Sequence, residues 1–64
     1  MTIKVNMHDI GTKATTSKTI SNATTEKLEA LESMMLNGTI LNQFDKKEQI
    51  HWNWMIDEVE ILEP

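Results

Sequence analysis

Apolar and polar residues alternate from the start of the chain. Ile3, Val5 and Met7 are separated by Lys4, Asn6 and His8, a period of two that predicts a half-buried strand. Asp9-Ile10-Gly11-Thr12 follows with turn chemistry. Residues 12–25 then hold six threonines, two lysines and two serines, with Ala14, Ile20 and Ala23 the only apolar side chains. Two readings of this stretch stay open. Threonine favours strands, so residues 13–20 pair back on the first strand as a hairpin. Alternatively, residues 9–21 form a mobile polar loop, because they have little to bury.

The period then changes. Leu28, Leu31 and Met35 recur at i, i+3 and i+7, with Met34 beside them, which predicts a helix over residues 22–37. Ser21, Asn22 and Thr24 are candidate N-caps, and Glu26 suits the positive end of the helix dipole. Asn37-Gly38 supplies a left-handed residue to end the helix.

Residues 39–44 are a short β-prone run, and residues 45–49 fit a five-residue hairpin loop into a last strand. Asp45 and Glu48 also have the spacing of a capping box, which would open a helix instead. The apolar positions decide between the two. On a helical wheel Ile50, Trp54 and Ile61 fall on one arc, while Trp52, Met55, Ile56, Val59 and Leu62 fall on another, with polar residues between. As a strand, Ile50, Trp52, Trp54 and Ile56 share one face, so a strand is predicted. Val59 and Ile61 are apolar at odd positions, and a bulge near Asp57-Glu58 absorbs that slip. The expected fold is α+β: a small antiparallel sheet of three or four strands with one helix packed on one face, in the order β(β)αββ.

Composition narrows the function classes. Sixty-four residues make one small domain, with no cysteine for disulfides or thiolate metal sites. Self-association or a partner is then a natural source of added stability. No basic segment leads into an apolar run at the N-terminus and no stretch is long enough to span a bilayer, so a cytoplasmic protein with no membrane association is expected. The Asn-x-Thr matches at Asn22 and Asn37 are then chance. The net charge of −4 belongs wholly to residues 33–64, and the chain has no arginine. Direct nucleic-acid binding is not expected of it.

No nucleophile–base set and no glycine-rich phosphate loop is present, so neither catalysis nor a cofactor is expected. His8, Asp9, His51, Asp57 and Glu58 are the only candidate metal ligands, and they lack a characteristic spacing. A plain polar-face role is preferred for both histidines. Candidate partner-binding residues are Trp52 and Trp54, the acidic Asp57, Glu58 and Glu60, and Met34 and Met35 at the helix end. Tryptophan is enriched in interface hot spots, and methionine in adaptable binding surfaces. The competing reading puts both tryptophans in the core against Leu28, Leu31 and Met35, makes the methionines gap-fillers, and uses the carboxylates to protect a strand edge.

The leading expectation is a small acidic module that binds another protein, as an inhibitor or adaptor. Size and composition also suit accessory proteins of phages or other mobile elements. The alternatives are a self-assembling homo-oligomer, such as a homodimer, and a nucleic-acid mimic that occupies a basic cleft. Modest charge density ranks mimicry last.

Overall fold

A computed structural model describes all 64 residues. The alternating N-terminal pattern forms strand β1 (Thr2–Asp9), and the threonine-rich segment forms strand β2 (Thr15–Ile20). They pair antiparallel, with Ile3 opposite Ile20 and His8 opposite Thr15. Residues of β2 are almost all exposed, so backbone pairing rather than burial holds the strand.

The connection between them is organised by Asp9. Its N–H donates to Ala14 O at 2.8 Å and its carbonyl accepts from Lys13 N at 2.9 Å. Its Oδ2 accepts from Thr12 N and Thr12 Oγ1, at 2.8 and 2.9 Å. Its Oδ1 accepts from Asn53 N at 2.7 Å. The last residue of β1 thereby fastens the first hairpin to the last strand.

Helix α1 spans Thr25–Asn37, with Thr24 as its N-cap. It begins later than the predicted residue 22. Asn22 takes a positive φ of 55°, and Ala23 N donates to Met1 O, so those residues form a turn anchored on Met1, just before β1. Gly38 ends the helix with φ 65°, a conformation that suits glycine.

The last hairpin joins β3 (Ile40–Asp45) to β4 (Ile50–Glu63). Asp45 pairs with Ile50, so the loop is residues 46–49, one shorter than predicted. Asp45 Oδ1 accepts from Lys47 N and Glu48 N. The residues that suggested a helix start close a turn instead.

The four strands form one antiparallel sheet in the order β2-β1-β4-β3, so the fold is α+β. Strand β4 pairs with β3 through residues 50–55 and with β1 through residues 54–63. Its acidic stretch is therefore inside the strand order, although β3 does not extend beside it. Opposite β1, Asn6 faces Glu58 and Met7 faces Ile56; Asp57 is the extra residue of the expected bulge. A second irregularity leaves Leu62 between the Ile3–Ile61 and Thr2–Glu63 pairs.

Registered in this way, Ile3, Val5, Met7, Trp54 and Ile56 share one face. The core gathers Ile3, Val5 and Ile56 with Ala23 and Leu31, and Leu28, Met34 and Met35 of α1 pack against it. Each fully buried aliphatic side chain of this kind contributes about 1.5–3 kcal/mol.

Candidate functional site

Helix α1 has 13 residues and is therefore about 20 Å long, whereas the molecule extends 36 Å along its longest axis. Leu31 of α1 and Val5, Met7 and Ile56 of the sheet help to line a groove of about 660 Å³, within the ~300–1,000 Å³ range of ligand sites. It reaches from edge strand β2, through Thr16 and Lys18, to β3, through Leu41 and Gln43.

The floor of the groove is aromatic. Trp52 and Trp54 lie two apart on β4 and so project the same way. Their rings stack with centroids 5.0 Å apart and an interplanar angle of 18°. Trp54 is only 8% exposed, and its Nε1–H donates to Gln43 Oε1 at 2.9 Å. Trp52 is more open, at intermediate exposure. The indoles differ in kind: Trp54 is anchored, and Trp52 is presented. Trp54 is one of the buried apolar residues of the chain, although neither indole belongs to the contact cluster around Leu31.

Other sequence candidates lie elsewhere. Met34 and Met35 are partly buried against the core, and the exposed apolar residue at that helix end is Leu36, at 83%. Glu58 and Glu60 stand opposite Asn6 and Lys4, on the face away from the tryptophans, and Asn6 Nδ2 donates to Glu60 Oε1 at 3.2 Å. Asp57 meets His8 Nδ1 at 2.7 Å. The acidic residues and Trp52–Trp54 therefore do not form one surface. His51 packs on Phe44 with ring centroids 4.5 Å apart, and no cluster of three or more metal-ligating side chains forms.

Asp9 is the one buried charged residue, 3% exposed. Its carboxyl is held below its ordinary range, first by the hydrogen bond from Asn53 N–H and then by that from Thr12 N–H, against the opposing effect of burial. All of its partners are structural, which makes it a fastener at the end of the sheet.

Sequence reasoning missed Gln43, Lys18 and Lys27. Gln43 shares with Leu41 the side of β3 that stands opposite Trp54 and Trp52, and no local pattern marked it, because Thr39 and Asp45 on that side are polar too. Lys27 stands one helical turn before Leu31, on the same side of α1. No helix of the structure is long and apolar enough to cross a membrane. Comparison with family models, with curated proteins and with solved structures found no match.

Proposed function

We propose that this chain is a protein-binding module, an inhibitor or adaptor whose groove receives apolar side chains of a larger protein. The observation that carries this reading is the Trp52–Trp54 stack on the floor of a groove that α1 leaves open. The reading treats the molecule as two layers, with α1 covering one end of one sheet face. Large flat rings held in place cost little entropy on binding, and they are the side chains most often found at interface hot spots. The chemistry is recognition and needs no reacting group.

Trp52→Ala is the test variant. Trp54→Ala would also break the Gln43 contact inside the fold. A purified partner, first captured from lysate, should bind the wild type and lose at least about tenfold in affinity to Trp52→Ala, the scale of a hot-spot residue. Equal affinity for a Trp52→Ala variant that keeps a cooperative thermal unfolding transition would remove the groove from the interface.

A second reading, self-association, has its own observation. Pairing with β3 stops at Met55, so residues 56–63 have a strand partner on one side only, and Ile61 and Leu62 are 55% and 49% exposed. Sedimentation over a wide concentration range tests it: a strict monomer at millimolar concentration ends this reading.

A further inference from the structure

We infer that the occupant of the groove is an acidic amphipathic helix of the partner protein; this rests on the docking reading above and specifies its chemistry. The chain has ten carboxylates and six lysines, yet the only charged side chains lining the groove are Lys18 and Lys27. An acidic protein thus has a locally cationic groove. Neither ammonium is spent internally, because the single ion pair of the molecule is His8–Asp57.

Position adds polarity to the charge. Lys18 stands on β2 opposite Val5, and Lys27 lies in the first turn of α1. Both are at the side where the chain passes from β2 into α1. Trp52, Trp54 and Gln43 lie toward β4 and β3, at the other side. An occupant crossing the groove meets cations at one end and aromatic surface at the other. Carboxylates near one end and large apolar side chains along the rest complement both.

The floor decides the form of the segment. An extended peptide gains its affinity from an unpaired strand edge; the free edge of β2 lies at the side of the sheet, whereas at the floor β4 is paired with β3 through Trp52 and Trp54 and with β1 from Trp54 onward. A helix needs no backbone partner and packs on a sheet through side chains alone. Crossing four strands at about 4.8 Å spacing takes roughly 15–20 Å, which is three turns or so of helix. Such a helix would lie beside α1 and extend the helical layer over the open half of the sheet.

A displayed library tests this directly: short helices with a fixed Leu/Phe stripe at i, i+3, i+4 and i+7 and randomised residues at both ends. It is panned against the wild type, Trp52→Ala and the double variant Lys18→Glu/Lys27→Glu, each first confirmed to be folded by circular dichroism. The wild type should enrich Asp and Glu at one end only, and the double variant should enrich Lys and Arg there. The best wild-type peptide should bind the double variant at least about tenfold more weakly, the scale of one lost charge-assisted contact. Helices that depend on Trp52 but are enriched without acidic ends, or with basic ones, overturn the inference and leave the docking reading intact. If no enriched helix depends on Trp52, the docking reading fails for helices and the inference falls with it.

Discussion

Two regions of the molecule, the core around Leu31 and the aromatic part of the groove, use similar apolar material differently. In the core, Ile3, Val5 and Ile56 gather with Leu31 and are nearly or wholly sealed from water. In the groove, which Lys27 and Leu31 of α1 also line, Trp54 is buried but its stacked neighbour Trp52 is only partly covered. The groove holds the larger side chains, yet the core holds the domain together. Stability follows what a side chain is packed against, and a large residue left half covered remains available to another molecule.

That contrast can be broken or sharpened by substitution. Leu31→Ala, in the core, should have the largest effect, about 2–5 kcal/mol. A core of this size supplies only ~3–5 kcal/mol in total, so denaturant melts should find the variant largely unfolded. A cost under 1 kcal/mol would mean that α1 is not what seals the sheet.

Asp9→Asn comes next, because it weakens the fastener between the first hairpin and β4. Its pH dependence has a definite sign. The folded-state pKa is lowered from an ordinary value of 3.8, so the stabilisation is present above that value and is lost as pH falls through the folded value. Thermal melts of the wild type should show this loss below pH 4, and the Asp9→Asn variant should lack that component of it. Identical acid profiles would show that Asp9 contributes nothing there.

Thr24→Ala removes the cap on Lys27 N–H and should cost about 1 kcal/mol, visible as a lowered melting temperature with full native helicity at 25 °C. Trp52→Ala removes far more atoms than Leu31→Ala but should cost less than it does: about 0.5–1.5 kcal/mol for the lost ring pair, added to the burial of a side chain that is only partly covered. A loss as large as that for Leu31→Ala would place Trp52 in the core and erase the contrast. Asp57→Asn should be the mildest, under about 1 kcal/mol, because the pair with His8 is partly exposed.

Much of this was legible in the sequence, and the legible parts are local. Alternation marked β1, the Leu28–Leu31–Met35 spacing marked α1, and the slip between Ile56 and Val59 marked the bulge at Asp57. If Asp57 is struck out, the alternation runs unbroken from Ile50 to Val59 and Ile61. The irregularity at Leu62 had no such signal, since only Glu63 and Pro64 follow it and two residues carry no pattern. The strand order was not legible for a different reason. It rests on β1 meeting β4, residues some fifty positions apart, and no local period encodes that pairing. The candidate site was half legible. Trp52 and Trp54 were visible as a pair, but Lys18, Lys27 and Gln43 join them only after β2, α1 and β3 have come together with β4.

The Trp52–Trp54 stack also has an optical consequence. Indoles held 5.0 Å apart and 18° from parallel are close enough for their ultraviolet transitions to mix, which splits the circular dichroism band of each ring into a coupled pair of opposite sign. No other tryptophan is present to obscure the signal. The molecule therefore carries its own spectroscopic label, placed in the groove, and anything that wedges between the rings or turns one of them should be visible without adding a dye.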